Sequence, residues 1–313
     1  MNLSQNISRD ISAPISIIVP TFNDQHYLKK CIESILDQSI LPAEIIVVDD
    51  GSKNDDAQNL VKSLNLKALN IKFLKIKNSG PSIARNQGFK ISSGEFLLFL
   101  DADDILPPSA LAFYANEINT LDSKFFGISG QMNNFGRIFN SKNRYIPEEK
   151  IDITKIGRKD GLQGQISCYL LRAEHFKIIG EFNSTLTHFE DFELLLRLFS
   201  RWKLKTINHV VLNKRFHKKS LSNINFLKSF EGGKKFLSLA RRESLLPEAE
   251  ILRREKENFL SLGKRLLLNA NLDKSFHVFK DCFDCFPPSG FKEFFILLLV
   301  KLYFGARSVL LSK

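Results

Sequence analysis

Three carboxylates follow a short apolar run in this sequence. Residues 96–104 read FLLFLDADD, so that Asp101, Asp103 and Asp104 come directly after five apolar residues. Carboxylates this close repel one another, and a bound cation relieves the repulsion. Asp101 and Asp103 are two positions apart in an extended stretch, so we expect them to share a face. Because Mg²⁺ and Mn²⁺ are usually held by carboxylates together with substrate phosphates, the motif predicts such a metal beside a phosphorylated substrate.

The same motif has a purely structural interpretation. It precedes Pro107 and Pro108, and proline is common in the first turn of a helix, so Asp103 or Asp104 could be a helix cap. Asp104 could also be a further metal contact, but we expect it to cap the turn that follows. Other polar clusters in the chain decide between these interpretations.

A second acidic pair, Glu190 and Asp191, begins the segment EDFELLLRLF. The spacing of the apolar residues in this segment predicts an amphipathic helix. In the first turn of that helix, the macrodipole would favour the ionised form of Asp191. The simpler alternative is that Asp191 or Glu190 only caps the helix.

Apolar strands and amphipathic helices alternate in the first part of the chain and must position these residues. Such alternation predicts an α/β sheet whose strands are mainly parallel. The predicted helix in the opening part covers His26–Leu36. The predicted strands are Ile15–Val19, Glu44–Val48, Ile71–Ile76 and Phe96–Leu100.

Polar clusters follow three of the predicted strands. They read TFND, DDGS and DADD, and each comes where a strand ends. Ligands of parallel sheets bind at the carboxyl ends of the strands. We therefore expect Asp24, Asp50, Asp101 and Asp103 to converge in one crevice that also holds a cation.

The net charge of +11 is distributed unevenly along the chain. Residues 1–200 contain 22 basic and 24 acidic side chains, whereas residues 201–313 contain 23 basic and 10 acidic ones. The basic segment Arg201–Lys228 has eight Lys and Arg and no acidic residue. Such a segment suits phosphates of a membrane surface, a substrate or a nucleic acid, or it is a solvated basic face.

The N-terminal sequence MNLSQNISRDISAP is polar and does not resemble a secretory signal. Four cysteines in 313 residues fit reduced thiols better than a disulfide framework. We therefore expect a cytoplasmic protein, with peripheral contact to the cytoplasmic face of a membrane as an open alternative.

Four blocks of the sequence resemble an inverting family 2 glycosyltransferase of the GT-A fold. The resemblance runs from about Pro14 to His217, and the third block carries a DxD signature. It implies a Rossmann-like mixed, mainly parallel sheet flanked by helices. In order, the blocks read SIIVPTFNDQHYLKKCIESILDQS, EIIVVDDGSKND, KNSGPSIARNQGFKISSGEFLLFLDADD and IIGEFNSTLTHFEDFELLLRL.

The resemblance also implies an activity. A sugar would pass from a nucleoside-diphosphate sugar, in particular a UDP-sugar, to a glycan or lipid-linked acceptor, in the biosynthesis of a cell-envelope polysaccharide or glycoconjugate. Mn²⁺ or Mg²⁺ would be the cofactor. The implied partners are the nucleotide sugar and the acceptor, with a membrane surface as an open alternative and no nucleic acid.

The resemblance assigns roles to individual residues on the nucleotide side. Pro20 and Thr21 would lie against the base, and Asp50 would accept a hydrogen bond from its ring N–H. Asp103, together with Asp101, would bind the metal. The residues implied to bind the nucleotide sugar are Pro20, Thr21, Asp50, Asn78, Arg85 and Asp101.

On the acceptor side, the resemblance makes Asp191 the general base. It would take a proton from the acceptor hydroxyl as that oxygen attacks the anomeric carbon opposite the departing diphosphate, and the configuration at that carbon would invert. Glu190 and His217 would lie on the acceptor and diphosphate side.

The C-terminal part departs from this pattern. We expect a catalytic domain over residues 1–224 and a helical region over residues 225–313. Phe259–Phe286 is typical of two helices joined at NANLD. Residues 291–313 are strongly apolar, but their uncharged run is too short to span a bilayer of about 30 Å. An interfacial amphipathic helix and a terminal helix packed on the domain are the two alternatives.

Two other function classes stay open. A nucleotidyltransferase also uses an α/β sheet and paired carboxylates, but the glycine-rich basic phosphate loop expected there does not occur in PTFND. The other class is a catalytically silent protein that binds an envelope complex through its basic tail. The combination of Asp50, Asp101, Asp103 and Asp191 argues against that class.

Overall fold

The computed structural model describes residues 12–64, 69–136, 141–142, 145–158, 160–216 and 226–311. The chain divides into two compact units, residues 1–217 and residues 218–313. The boundary predicted after residue 224 falls outside the described residues. Each unit is described below by itself.

In its described part, the first unit contains an eight-stranded mixed sheet. The strands are β1 (Ser12–Thr21), β2 (Leu41–Asp49), β3 (Asn70–Lys75), β4 (Phe96–Phe99), β5 (Phe125–Phe135), β6 (Ser141–Lys142), β7 (Tyr169–Arg172) and β8 (Lys203–Arg215). Their order is β3-β2-β1-β4-β7-β5-β6, and β8 pairs with β5. Pairing is parallel from β3 to β4 and between β5 and β8, and antiparallel around β7 and β6. The predicted mixed, mainly parallel sheet is confirmed.

Helices flank this sheet. They are α1 (Gln25–Leu36), α2 (Asp56–Leu64), α3 (Pro81–Lys90), α4 (Ala110–Ile118), α5 (Ala173–Ile178) and α6 (Glu190–Phe199), with single 3₁₀ turns at Glu148–Lys150, Ile153–Lys155 and Ile166–Cys168. Helix α3 approaches β1 closely, because a Cβ on Gly88 would lie 2.5 Å from Cγ2 of Ile18. This contact holds α3, which carries Arg85, against the sheet.

The apolar runs form buried strands because both faces of the sheet are covered. All four residues of β4 are buried, as are all five residues of Ile15–Val19, including the polar Ser16. Strands β2, β1 and β4 are adjacent and parallel. Their carboxyl ends, and the polar clusters that follow them, therefore lie along one edge of the sheet.

The second unit is helical in its described residues. Its helices are α7 (Phe226–Arg242), α8 (Glu248–Leu268), α9 (Leu272–Cys285) and α10 (Phe291–Leu311). The predicted helix pair joined at NANLD corresponds to α8 and α9. Helices α8 to α10 share a core that contains Leu260, Phe279, Cys282 and Val300. No helix among the described residues is both long enough and apolar enough to cross a membrane.

Candidate active site

The DADD carboxylates lie together just beyond β4. Oxygen atoms of Asp101, Asp103 and Asp104 lie within 4.8 Å of one another, and neither Asp24 nor Asp50 belongs to this group. Oδ1 of Asp104 accepts a hydrogen bond from the backbone N–H of Arg215 at 2.9 Å. The expectation that Asp104 caps the next turn is wrong, because strand β8 holds its carboxylate instead.

This acidic turn fits a divalent cation. Oδ2 of Asp104 is buried and has no hydrogen-bond partner among the described residues, which is unfavourable for a carboxylate. Burial and the charges of Asp101 and Asp103 raise the pKa of Asp104 well above its usual value. Both oxygens of Asp101 accept hydrogen bonds, from Arg85 and Gln165. Asp103 and Asp104 are therefore the stronger candidates of the three for holding a metal.

One buried guanidinium joins the two acidic motifs. Arg85 contacts Asp101 at 2.8 Å, Glu190 at 3.0 Å and Asp191 at 3.3 Å. Burial by itself would lower the pKa of Arg85, but the three carboxylates outweigh burial and raise it. Burial likewise opposes ionisation of Asp101, yet Arg85 holds the pKa of that carboxyl below its usual value. Contact between Arg85 and a nucleotide stays a prediction.

Asp191 is suited to exchange a proton near neutral pH. Its Oδ2 accepts a hydrogen bond from the backbone N–H of Ile166 at 3.1 Å, while Oδ1 faces Arg85. Burial raises the pKa of Asp191 to about 7, and Arg85 opposes this rise. The predicted shift of Asp191 toward its ionised form is thus reversed, because burial dominates. A general base works best when its pKa lies near the working pH, so the raised value suits that role.

The backbone is strained immediately before α6. Phe189 has a φ of 65°, a left-handed conformation that costs about 1–2 kcal/mol for a residue with a side chain. The start of α6 has no side-chain cap bond, since Asp191 binds Ile166 and Glu190 binds Arg85. The alternative in which this acidic pair merely caps its helix therefore does not hold. Strain of this kind is often found at functional sites.

Gln165 and Ile166 connect the two acidic motifs a second time. Nε2 of Gln165 donates to Oδ2 of Asp101 at 2.6 Å, and the N–H of the next residue binds Asp191. Oε1 of Gln165 accepts a hydrogen bond from Nζ of Lys214. Sequence reasoning missed Gln165 because it lies in a stretch, residues 131–165, that carries no recognisable motif.

Strand β8 brings two basic side chains to the acidic turn. Besides the contact of Lys214 with Gln165, Nε of Arg215 donates to the carbonyl oxygen of Asp103 at 2.9 Å. The guanidinium of Arg215 also lies over the rings of Tyr27 and Phe135, 5.0 Å and 4.6 Å from their centroids. Both residues belong to the basic segment Arg201–Lys228, for which the sequence predicts no place in the site. Their position two and three residues before His217 was the available signal.

Among the described residues, the site has an excess of negative charge. Five of their carboxylates lie in this network beside three basic side chains, so that full ionisation of these eight groups leaves two negative charges, the amount that one divalent cation cancels. The carboxylates are Asp101, Asp103, Asp104, Glu190 and Asp191, and the basic residues are Arg85, Lys214 and Arg215. This imbalance explains part of the raised pKa values of Asp104 and Asp191. A cation bound there would lower both.

The predicted nucleotide-binding residues lie at the ends of β1 and β2. Asp50 accepts backbone hydrogen bonds from Ser79 at 2.7 Å and Gly80 at 2.8 Å. Burial raises the pKa of Asp50, although these two bonds oppose the rise. Thr21 is buried, and its hydroxyl has no partner in the described part of the chain. Pro20, beside it, is half-buried.

The DDGS turn packs against the loop that carries Asn78. Gly51 has a φ of +77°, and a Cβ at this position would lie 2.6 Å from the backbone nitrogen of Asn78. Only glycine fits such an approach without displacing the loop. Asn78 itself is exposed. His217, the remaining predicted site residue, lies outside the described residues.

Comparisons with known proteins identify the family of this chain. The sequence pattern of the family described as Glycosyl transferase family 2 matches residues 16–177, just over half of the chain. An uncharacterized glycosyltransferase of Rickettsia conorii is 32% identical over 67% of this chain and 36% of its own length. The chain thus spans little more than a third of that relative.

Two further comparisons extend the likeness. The Campylobacter jejuni GalNAc(5)-diNAcBac-PP-undecaprenol beta-1,3-glucosyltransferase is 39% identical over 36% of this chain and 37% of that protein. The structure of S. aureus TarS 1–349 in complex with UDP-GlcNAc has a TM-score of 0.63 at 19% identity, and covers 87% of this chain and 81% of that one. The first likeness concerns sequence, and the second concerns the fold alone. Because the family pattern matches just over half of the chain, this chain belongs to glycosyltransferase family 2 and has the GT-A fold.

Proposed function

We propose that this chain is an inverting, metal-dependent glycosyltransferase that uses a UDP-sugar and extends a glycan or lipid-linked acceptor of the cell envelope. Residues 1–224 would form its catalytic domain. The observation that carries the proposal is the buried carboxylate of Asp191, whose pKa is raised to about 7 and which Arg85 links to Asp101 of the acidic turn. The UDP-GlcNAc complex of TarS and the undecaprenol-linked substrate named for the Campylobacter relative support the two substrate classes.

Asp191 would act as the general base of the transfer. A sugar hydroxyl is a poor nucleophile, and its oxygen becomes reactive as its proton passes to the carboxylate. The new bond forms between this oxygen and the anomeric carbon while the bond to the diphosphate oxygen breaks, and that oxygen keeps the electron pair. Attack from the side opposite the leaving group inverts the anomeric carbon. Arg85 keeps the carboxylate oriented through its contact of 3.3 Å.

The acidic turn would bind the diphosphate end of the nucleotide sugar. Asp103 and Asp104 would hold Mn²⁺ or Mg²⁺, with Asp101 beside them. When bound, the metal neutralises charge on the leaving diphosphate. Asp101, kept ionised by Arg85, would accept hydrogen bonds from the nucleotide or from metal-bound water.

The remaining assignments extend this proposal to the nucleotide and acceptor sides. Asp50 would accept a hydrogen bond from the base, in addition to those it receives from Ser79 and Gly80. Glu190 and His217 would face the acceptor and the diphosphate. The other residues proposed to contact the nucleotide sugar are Pro20, Thr21, Asn78 and Arg85.

A panel of nucleotide sugars tests the proposed reaction. The purified protein is incubated with Mn²⁺ and each sugar, and the released products are identified. Release of a nucleoside diphosphate supports glycosyl transfer, because the bond broken is the one to the anomeric carbon. Release of pyrophosphate would instead indicate a nucleotidyltransferase, and no turnover of any sugar would favour a binding protein.

Replacing Asp103 by Ala should abolish Mn²⁺-dependent binding of UDP. The substitution removes one of two carboxylates that best fit the metal, and without the metal the diphosphate faces several negative charges. Calorimetric titration of UDP with and without Mn²⁺ measures the effect. Asp122→Ala, at an exposed site that pairs with Lys124, is the control. UDP affinity equal to that of the wild type would remove Asp103 from the metal site.

We also propose that helix α10 contacts an anionic membrane surface. One face of α10 packs into the core of the second unit through Ile296, Val300 and Phe304. Apolar residues at helical spacing, 40% to 86% exposed, form a stripe on the remaining surface, and exposed Lys292 and Lys301 accompany them. A flat anionic surface complements both the apolar stripe and the lysines. The stripe residues are Phe291, Phe294, Phe295, Leu298, Leu299 and Leu302.

Placing a charge on this stripe should prevent membrane binding. We expect Leu298→Glu to abolish flotation with phosphatidylglycerol vesicles, because a carboxylate would have to leave water on binding. Leu252→Glu, at an apolar site of α8 that is 43% exposed, should float like the wild type. Flotation of both variants to the same extent would contradict the assignment. If the wild type bound neutral phosphatidylcholine vesicles as well as it binds phosphatidylglycerol vesicles, the lysines would not contribute to membrane binding.

A further inference from the structure

We propose that Lys214 binds the diphosphate of the nucleotide sugar and stabilises it as the leaving group. The inference rests on the proposed glycosyl transfer and adds a basic residue that the family resemblance does not assign. Lys214 lies at the end of β8, one residue before the backbone contact of Arg215 that holds the acidic turn.

Strand β8 is attached to the acidic turn at two points. The N–H of Arg215 donates to Asp104, and Nε of Arg215 donates to the carbonyl oxygen of Asp103. Pairing with β5 sets the register of this end, since Asn134 lies opposite Lys214 and Phe135 lies opposite Arg215. The position of Lys214 relative to the proposed metal ligands is therefore determined by the sheet.

The ammonium of Lys214 lies one amide group away from the acidic turn. Its Nζ donates to Oε1 of Gln165, and Nε2 of the same amide donates to Oδ2 of Asp101. No ion pair of Lys214 with a carboxylate is formed within the described residues. Because Nζ of Lys214 is bonded to a neutral amide, it can move to a phosphate oxygen without breaking a salt bridge, and it gives up only part of its longer-range attraction to Asp101 and Asp104.

The other two basic residues of the site are already engaged. Arg85 binds three carboxylates and is buried. Arg215 lies over two aromatic rings and donates to a backbone carbonyl. Lys214 is half-buried, and a lysine is a compact charge on a flexible stem that adapts well to a phosphate. Of these three residues, it is the one best placed to move to an arriving diphosphate.

A cation at this place has a chemical purpose in the transfer. When the bond between the anomeric carbon and the diphosphate oxygen breaks, the electron pair stays on that oxygen and negative charge increases there. An ammonium that donates to a phosphate oxygen stabilises this charge. Gln165, released from Lys214, would keep its bond to Asp101.

Calorimetry on Lys214→Met, with Lys205→Met as the matched control, tests the proposal. Lys205 lies on the same strand and pairs with Glu117 at 2.5 Å, away from the acidic turn. The probes are UDP, uridine and inorganic pyrophosphate, each with Mn²⁺. We expect Lys214→Met to weaken UDP and pyrophosphate about tenfold or more, as for loss of a charged hydrogen bond, without changing uridine affinity. Lys214→Arg should restore much of the loss, and Lys205→Met should match the wild type.

The outcomes separate this inference from the proposed function. If the wild type binds UDP and Lys214→Met binds UDP and pyrophosphate equally well, Lys214 does not contact the diphosphate, while the proposed transfer stands. An equal loss for uridine and UDP would indicate a general disturbance of the site and would also overturn the assignment. If the wild type binds neither UDP nor pyrophosphate, the proposed function and the role of Lys214 both fail.

Discussion

Replacing Asp191 by Asn should reduce glycosyl transfer by about 10²–10⁴-fold and leave UDP affinity unchanged. The amide has the shape of the carboxylate but cannot take the proton of the acceptor hydroxyl. The nucleotide would still meet Asp50 and the acidic turn, both of which keep all their carboxylates in this variant. Single-turnover transfer and calorimetric titration of UDP measure the two quantities separately.

Glu190→Gln is the matched control for this experiment. Glu190 precedes Asp191 and contacts the same nitrogen of Arg85, but it lacks the backbone contact to Ile166. We expect Glu190→Gln to retain much more transfer than Asp191→Asn. Wild-type turnover in Asp191→Asn would end the role of Asp191 as the base. If Glu190→Gln lost more transfer activity than Asp191→Asn, Glu190 would be the base instead of Asp191.

The wild-type pH profile gives an independent check of the same residue. Because burial raises the pKa of Asp191 to about 7, its ionised form increases as the pH rises through that value. The ratio kcat/KM should therefore rise with pH up to about pH 7, and bound metal should move the midpoint of this rise below 7, since this ratio reports ionisations of the free enzyme. Asp191→Asn should lose this rise. A wild-type profile that is flat from pH 5 to pH 8 would contradict the role of Asp191 as the base.

Replacing Arg85 by Met should destabilise the first unit by about 3–5 kcal/mol at pH 8, the usual cost of removing one partner from a buried ionic network. Three carboxylates would then face one another without their cation. Their pKa values would rise above those of the unfolded chain, so the folded variant would bind more protons than the unfolded one. Its stability should therefore fall as the pH increases, and the destabilisation should be smaller at pH 5.

Urea unfolding followed by Trp202 fluorescence measures this effect, because the single tryptophan of the chain lies in the first unit. Lys124→Met is the control, since Lys124 and Asp122 form an exposed pair. Its unfolding midpoint should equal that of the wild type at both pH values. If Arg85→Met were as stable as the wild type at pH 8, Arg85 would not be needed to neutralise the charge of these carboxylates.

Arg85 and Gln165 give the site its particular arrangement. Each connects the acidic turn with the region of Asp191: Arg85 through its guanidinium, Gln165 through its own amide and the N–H of Ile166. A change at Asp101, such as the arrival of a metal and a diphosphate, therefore alters contacts of the proposed base. This geometry supports a site in which the nucleotide sugar and the acceptor are bound by one connected network.

Much of the fold could be predicted from local patterns. The run Phe96–Leu100 is apolar throughout, as a strand covered on both faces requires, and the structure has β4 at Phe96–Phe99. The spacing of apolar residues in His26–Leu36 predicted a helix, which is α1. The sequence NANLD predicted a break between two helices, and the structure has this break between α8 and α9. These features depend on neighbours a few positions apart, so the sequence contains them directly.

Local reasoning failed where burial or distant contacts decide. The macrodipole of its own helix predicted an ionised Asp191. The surrounding protein instead desolvates the carboxylate and raises its pKa. Asp104 was expected to cap a local turn, yet its partner is Arg215, 111 positions later. In both cases the environment of the carboxylate is set by tertiary structure and not by its neighbours in the sequence.

The sequence by itself determined four of the eight described strands, β1 to β4, together with the polar clusters that follow them and the acidic motifs of the chain. It could not determine that Arg85 binds Asp101 and Asp191, 16 and 106 positions away, or that Gln165 binds Asp101 across 64 positions. Strand order in the sheet decides which of these side chains meet, and burial decides their protonation. Apolar periodicity describes one face of one element, whereas the charge balance of this site depends on four segments that the fold brings together: α3, the acidic turn, α6 and β8.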